Sequence, residues 1–224
     1  MLLVTLLAGR WAIINNRLPL MGLIIAIAVM LIPLQLGWLL FQAKRKSDTY
    51  DIKSVVHFRK KVPAWQFILL VLGIFLWMGF IFFVVGPLPD SYFMQNWFSW
   101  MPEWLQIGGV PSSMVGFDRA ELITVGILML IFNGFAGPII EELYFRGYLL
   151  PRMQRFGALA PLLNAVLFSL YHFFSPWQNL TRTLALIPFV YVVWWKRNIY
   201  IGMAAHVMGN VFSSIGLLVF LMNG

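Results

Sequence analysis

The sequence predicts an all-α polytopic membrane protein with about six transmembrane helices. Of its 224 residues, 61% are hydrophobic and only 11% are charged, and the mean hydropathy of +0.82 lies outside the range of ordinary soluble domains. Several apolar runs are long enough to cross a bilayer, which takes about 20 residues. The 20 Phe, 10 Trp and 7 Tyr residues are typical of a chain anchored at both membrane interfaces.

Composition also excludes several classes of function. The chain has no cysteine, so disulfides, thiolate metal ligands and a cysteine nucleophile are excluded. A formal charge of +8 would suit a nucleic-acid partner, but the basic residues gather in loops between apolar segments, as they do in membrane proteins. We therefore expect the lipid bilayer as partner and no nucleic acid.

The order of apolar and polar segments divides the chain into two regions. Residues 1–117 form an N-terminal membrane region with two spans, a basic loop and a Trp-rich interfacial segment over residues 91–117. Residues 118–224 form a helical core, which opens on Asp118 to Glu121, a pattern similar to a capping box. Residues 1–17 are apolar but interrupted by arginine, which favours an interfacial lead-in over a further span. The predicted spans are residues 18–41, 65–85, 121–150, 158–174, 180–195 and 199–221.

The distribution of basic residues predicts the orientation. The loops at residues 42–64, 151–157 and 196–198 hold eleven Lys and Arg residues, whereas the loops on the other side hold four. Because cytoplasmic loops carry the excess of Lys and Arg, the eleven-residue side is expected to be cytoplasmic, with both termini outside.

Two adjacent carboxylates and an arginine lie inside the third predicted span. Glu142 and Arg146 are four residues apart and therefore meet on one face of a helix, with the acid N-terminal to the base. Glu141 points about 100° away from Glu142 around the helix axis. A charge at membrane depth costs several kcal/mol, roughly 2.5–3.5 on insertion scales, so it needs a partner or a function. The pattern predicts one paired carboxylate and one spare one. Pro138, one turn earlier, predicts a kink or a loosened turn.

Two histidines and an asparagine complete the polar set. Glu141 lies fifteen residues before Phe156, and His172 lies fifteen residues after Gly157, so both are about 20 Å of helix from the turn between their helices. His206 precedes Asn210 by one helical turn. Its distance from the adjacent loop predicts a different level in the membrane unless a helix is tilted or broken, and the spacing leaves this open. Taken singly, each group has a structural explanation, as a buried ion pair or an interhelical hydrogen bond.

Three motifs in order carry a resemblance to a known family. Glu141-Glu142-x-x-x-Arg146, Phe168-x-x-x-His172 and His206-x-x-x-Asn210 resemble the signature of the CPBP family, the CAAX-type and bacteriocin-processing intramembrane proteases also called Abi. The resemblance covers about the C-terminal half of the chain. The fifth span departs from the family pattern, because it lacks the glycines that members often carry there.

The resemblance implies a function and a role for each residue. Glu141 with His172 would activate water for attack on a peptide bond of a membrane-associated peptide or protein. His206 and Asn210 would stabilise the oxyanion, while Glu142 with Arg146 would hold Glu141 in place. Glu141, His172 and His206 could instead bind a catalytic zinc ion, and the sequence leaves the cofactor open because a metal-free mechanism uses the same residues. The resemblance also implies a multi-pass protein of a bacterial cell membrane, with the site open to the cytoplasmic side.

Two functions from other classes remain as alternatives. A non-catalytic membrane partner, such as a bacteriocin immunity protein or a sensor-kinase regulator, could use the same scaffold, although it need not retain the complete set of motifs. A transporter with a proton relay predicts an internal repeat, and none is apparent in the sequence.

Overall fold

The computed structural model describes residues 2–106 and 117–223, and this part of the chain is helical. Its only strand-like pairing is an isolated antiparallel bridge between Arg59 and Asn198. The predicted all-α class is confirmed. The helices are α1 (Leu2–Ile14), α2 (Met21–Ser47), α3 (Ala64–Val85), α4 (Pro87–Asn96), α5 (Glu103–Gln106), α6 (Arg119–Arg152), α7 (Leu159–Tyr171), α8 (Asn179–Lys196) and α9 (Ile199–Asn223).

Four of the described helices, α2, α3, α6 and α9, are long and apolar enough to cross a membrane. The six predicted spans are therefore not confirmed. Helix α7 has 13 residues and is about 20 Å long at 1.5 Å per residue, which is less than the bilayer core of about 30 Å. Counting apolar residues overestimated this helix, because the apolar run continues to Phe174 whereas the helix ends at Tyr171.

Helix α6 carries the acidic pair and is irregular around it. Wider π-helical turns at Leu130–Ala136 and Leu143–Leu149 flank a short α-helical segment, Gly137–Glu142. Pro138 cannot donate a backbone hydrogen bond to the preceding turn, which is where the sequence predicted a loosened turn. Such π-helical insertions are frequent at functional sites, because they change the direction of the side chains that follow.

The basic loops meet at one end of the helix bundle. The loop between α2 and α3 crosses this end, where the His57 backbone N–H donates to the Gly147 carbonyl at 2.8 Å and the Ile199 N–H donates to the Phe58 carbonyl at 2.7 Å. Arg152 donates to the Val55 carbonyl at 3.3 Å. These contacts tie the loop to the C-terminal part of α6 and to the start of α9. We call this the basic end.

The opposite end is held by contacts that the sequence did not suggest. Glu121 forms an ion pair with Arg17 at 3.2 Å and accepts a hydrogen bond from the Leu18 backbone N–H at 2.9 Å. Asp118 precedes α6 but makes no side-chain capping bond, so the predicted capping box is wrong: a tertiary contact with the α1–α2 turn uses Glu121 instead. The Trp-rich interfacial segment forms α4 and α5, and its residues 107–116 lie outside the described residues.

The helices of the bundle pack against one another through clusters of buried side chains. Helix α1 packs along α2 and buries Thr5, Gly9 and Ala12. The largest core cluster brings together α2, α3, the basic loop and α6 to α9. Large apolar side chains such as Leu76 and Phe83 are exposed on the outer surface of α3, as expected for a surface in contact with lipid.

Candidate active site

The ion pair between Glu142 and Arg146 is fully buried. Arg146 Nη1 lies 3.2 Å from Glu142 Oε1, and both side chains are 0% exposed. The guanidinium also lies 4.2 Å from the ring centre of Phe168 and 4.8 Å from that of Phe189. A buried arginine between two aromatic faces and a carboxylate has both its charge and its apolar surface matched. Glu142 therefore uses Oε1 for the ion pair, while its buried Oε2 accepts no hydrogen bond from the described residues.

His206 joins this pair to the spare carboxylate. Its Nδ1 lies 3.0 Å from Glu142 Oε1, while its Nε2 lies 3.9 Å from Glu141 Oε2. An ionised carboxylate only accepts hydrogen bonds, so His206 Nδ1 carries the proton and donates it to Glu142. In the neutral ring, Nε2 then presents its lone pair to Glu141.

His172 approaches Glu141 from the other side in the same way. It lies at the C-terminus of α7, where its Nδ1 is 2.8 Å from the Phe168 carbonyl. A carbonyl only accepts, so Nδ1 again carries the proton and the neutral ring presents Nε2. This Nε2 lies 3.9 Å from Glu141 Oε1. Phe168 thus orients His172 through its carbonyl while its ring covers Arg146.

Glu141 is buried, with 5% of its surface exposed. The hydroxyl of Tyr171 hydrogen-bonds to it, and the two imidazoles lie beyond direct hydrogen-bond distance. Each Nε2 lone pair faces one oxygen of Glu141 at 3.9 Å, and two acceptors at this distance need a donor between them. A water molecule has two O–H groups and can bridge such a gap. The arrangement is therefore suited to holding one polarised water.

The structure places His206 at the level of Glu141, contrary to the expected difference in level. The crossing loop explains this result, since adjacent residues His57 and Phe58 bind Gly147 and Ile199. Gly147 and Ile199 are consequently level with each other. Glu141 lies six residues before Gly147 and His206 seven residues after Ile199, so their depths agree to within about 2 Å of helix. Counting residues from the basic loops did not show this agreement, because α6 continues past the level of Gly147 to Arg152.

Asn210 lies in the same cavity and already has a structural contact. Its Nδ2 donates to the Asn133 carbonyl at 2.9 Å, within the first π-helical segment of α6. This bond fixes α9 against α6 at the level of the site. An amide nitrogen has two N–H groups, so one remains for another acceptor.

A cavity of about 470 Å³ opens beside these groups. This volume lies within the range of sites for small ligands, about 300–1,000 Å³. Its wall is mostly apolar, with α2 on one side and α3 on the other. The polar groups of the wall are Asn133, Glu141, His172, Ser175, Gln178, Arg182, His206, Asn210 and Ser213.

The cavity extends away from the basic end. On α6 its lining residues precede Glu141, on α9 they continue beyond His206, and on α3 they include Phe82 and Phe83 in the last turns. A smaller cavity of about 160 Å³ shares Phe174 and Gln178 with it and reaches α1 and α5. Two expectations are therefore incompatible: if the basic loops are cytoplasmic, the cavity cannot open to the cytoplasmic side.

The three expected zinc ligands lie close together at the Glu141 carboxylate but are not arranged around a common metal position. Glu141, His172 and His206 are of the right chemical types, with both histidines oriented by acceptors at Nδ1. However, no group of three or more His, Asp or Glu side chains within residues 2–106 and 117–223 is arranged to hold a metal ion. The described residues as placed do not fit a zinc site.

Two residues at this site were not found from the sequence. Tyr171 hydrogen-bonds Glu141, and Arg182 lines the cavity from the first turn of α8. Tyr171 is adjacent to His172, which was the only signal for it. Arg182 was counted only as one of the four basic residues on the side opposite the basic loops, although it is only 7% exposed.

A family model matches part of the chain. The family model described as "Type II CAAX prenyl endopeptidase Rce1-like" matches residues 123–212, a range that contains all three motifs. The resemblance to the CPBP family is confirmed over this segment. No curated protein and no solved structure matches the chain.

Proposed function

We propose that the CPBP-family segment of residues 123–212 makes this chain an intramembrane endopeptidase, which hydrolyses a peptide bond of a membrane-associated peptide or protein. The observation that supports this most strongly is the position of Glu141, with Nε2 atoms of two histidines each 3.9 Å from its carboxylate, on the wall of a cavity. A carboxylate and an imidazole sharing one water are a general-base arrangement.

The proposed reaction uses this chain's own groups. The shared water donates one hydrogen bond to Glu141 and one to His172, and its oxygen attacks the carbonyl carbon of the scissile peptide bond. The water proton passes to Glu141 and then to the leaving nitrogen as the C–N bond breaks. The products are a carboxylic acid and an amine. Burial of Glu141 strengthens these interactions, because water does not screen them.

The negative charge that develops on the carbonyl oxygen needs donors. Asn210 has a free N–H group beyond its bond to Asn133. His206 can donate from Nε2 only when it carries a second proton, and Glu142 provides the counter-charge for that form. Oxyanion donors of this kind are typically worth about 10²–10³ in rate. We assign this role to His206 and Asn210.

We further propose that the substrate enters from the extracytoplasmic side or from the bilayer. The excess of Lys and Arg predicts that the basic end is cytoplasmic, and the cavity extends away from that end. The chain has no native cysteine, so single cysteines can be labelled without background. Thr49→Cys at the basic end is expected to react only with a permeant reagent, whereas Ser91→Cys in α4 reacts with an impermeant one. The reverse pattern would place the cavity on the cytoplasmic side.

Peptide hydrolysis by the purified protein tests the function. A library of apolar peptides in detergent is expected to yield fragments with the unmodified protein and none with His172→Ala. Activity that persists in a chelator supports the water mechanism, and its loss would assign Glu141, His172 and His206 as metal ligands. If the unmodified, folded protein cleaves no peptide while the motif variants still abolish its cellular phenotype, a non-catalytic role is favoured.

A further inference from the structure

Glu141 has to keep one orientation if it is to share a water molecule with His172. The last torsion of a glutamate side chain is soft, so the two carboxylate oxygens can turn about the end of the chain. Catalytic groups need to stay within about 10–20° of the productive geometry. The Nε2 atoms of His172 and His206 lie 3.9 Å from Glu141, which is beyond hydrogen-bond distance. The carboxylate therefore needs a direct donor elsewhere.

The hydroxyl of Tyr171 provides this donor. It hydrogen-bonds to the Glu141 side chain, and it donates, because an ionised carboxylate only accepts hydrogen bonds. Tyr171 is the last residue of α7, and His172 follows it directly. The two adjacent residues thus approach the same carboxylate, one through a direct hydrogen bond and the other through the shared water.

Packing holds the Tyr171 ring in place. Its centre lies 5.4 Å from that of Phe145 and 5.1 Å from that of His172, the latter pair edge to face. The ring also packs against the buried cluster around Ile140, where α2 contacts α6. Aromatic pairs at these distances attract each other in preferred orientations. The phenol therefore has a fixed position from which it can restrain a flexible carboxylate.

Tyr171 contacts Glu141 from the packed interior and not from the cavity. Glu141 and His172 belong to the wall of the larger cavity, whereas Tyr171 is not one of the described residues that line it. Its neighbours belong instead to the packed faces of α2, α6 and α7. A peptide in the cavity would therefore reach the carboxylate and the imidazole without contacting the phenol.

We propose that Tyr171 is a positioning residue: its hydrogen bond holds the Glu141 carboxylate from the packed side and turns it toward the water shared with His172. This inference rests on the proposed function, because that water is the proposed nucleophile. Displacing a reacting group by about 1 Å can lower a rate about 10²-fold. Loss of the hydroxyl should therefore lower kcat, and KM should not change because the phenol does not contact the peptide.

Steady-state cleavage by Tyr171→Phe tests this role, because the change keeps the packed ring and removes only the hydroxyl. We expect kcat to fall about 10- to 100-fold with an unchanged KM. Replacing Tyr171 by para-aminophenylalanine restores an N–H donor at the same place and should recover part of kcat. The matched control is Tyr144→Phe on α6, because the Tyr144 ring also contacts Phe145, with ring centres 5.2 Å apart. This control should keep both constants.

Infrared difference spectra test the hydrogen bond without turnover. The chain has only eight Asp and Glu residues, so few carboxyl bands overlap. Tyr171→Phe is expected to shift one carboxyl stretching band, because loss of a hydrogen bond changes the C–O bonds of its acceptor. The shift should be absent when both proteins also carry Glu141→Gln, and Tyr144→Phe should not produce it.

Either measurement can overturn the proposal. It fails if Tyr171→Phe leaves the carboxyl bands unchanged, if kcat of the folded variant stays normal, or if KM rises while kcat does not fall. Absence of any recovery with para-aminophenylalanine would overturn it as well, since the loss would then belong to packing. If the infrared shift is present but the unmodified protein hydrolyses no peptide, the proposed function fails and the hydrogen bond to Glu141 stands.

Discussion

Glu141 and Glu142 are identical, adjacent residues on two sides of α6, yet their surroundings differ. Glu142 is 0% exposed and contacts both Arg146 and His206 at 3.0–3.2 Å. Glu141 lies on the cavity wall, 3.9 Å from two imidazoles. A rotation of about 100° along the helix separates the two carboxylates. One side is closed by complementary charge and aromatic packing, and the other keeps a carboxylate available for chemistry.

Removing the ion pair between Glu142 and Arg146 should have the largest effect on stability. Arg146→Ala leaves Glu142 as an uncompensated buried charge and removes a side chain packed between Phe168 and Phe189. Loss of one partner of a buried pair typically costs about 3–5 kcal/mol. We expect a marked drop in folded protein, measured by size-exclusion chromatography and thermal unfolding in detergent. An equal drop for Glu141→Gln would show that the two sides do not differ as described.

A smaller loss of stability is expected from adding a side-chain atom next to Glu142. A Cβ atom at Gly202 would lie 2.8 Å from Glu142 Oε2 and 3.1 Å from Val193 Cγ2. Gly202→Ala therefore forces the Glu142 carboxylate or its neighbours to shift, and overpacking of this kind costs about 1–3 kcal/mol. The matched control is Gly216→Ala on the same helix, where no atom lies within 4 Å of the added carbon. A melting temperature lowered by the control as much as by Gly202→Ala would refute the close approach.

The smallest effect concerns Asp90, a half-buried carboxylate of α4 that accepts a hydrogen bond from Thr181. Burial raises the pKa of Asp90 above its usual value of 3.8, with the Thr181 hydrogen bond and the Arg182 charge opposing the shift. Because the folded state binds this proton more tightly, its contribution to stability falls as pH rises from 3.8 through the raised pKa. Asp90→Asn keeps an acceptor for Thr181 and should lose this dependence. Melting curves across that range test it, and an unchanged pH profile would contradict the assignment.

Contacts along one helix, or between helices joined by a short turn, could be predicted from the sequence. The i,i+4 spacing placed Arg146 beside Glu142, and equal counts from one turn placed His172 at the level of Glu141. These inferences hold because both depend only on the rise and twist of a helix.

The remaining contacts depend on tertiary structure, which the sequence does not encode locally. The level of His206 could not be settled from residue counts, because the crossing loop at His57 and Phe58 sets the start of α9. Glu121 was predicted to belong to a capping box of α6, but its carboxylate accepts a hydrogen bond from Leu18 in the α1–α2 turn. Arg182 was missed because a short turn after His172 returns the chain to the cavity, and an isolated arginine in a sequence gives no sign of burial.

The rate of peptide cleavage by Glu141→Gln, relative to Glu121→Gln, tests the central claim most directly. Both variants replace a carboxylate by an amide of the same shape, but Glu121 binds Arg17 and Leu18 far from the cavity. Removal of a general base typically lowers the rate by about 10²–10⁴. We predict such a loss for Glu141→Gln, with an unchanged melting temperature, and near-normal cleavage for Glu121→Gln. Full activity of folded Glu141→Gln would contradict the account.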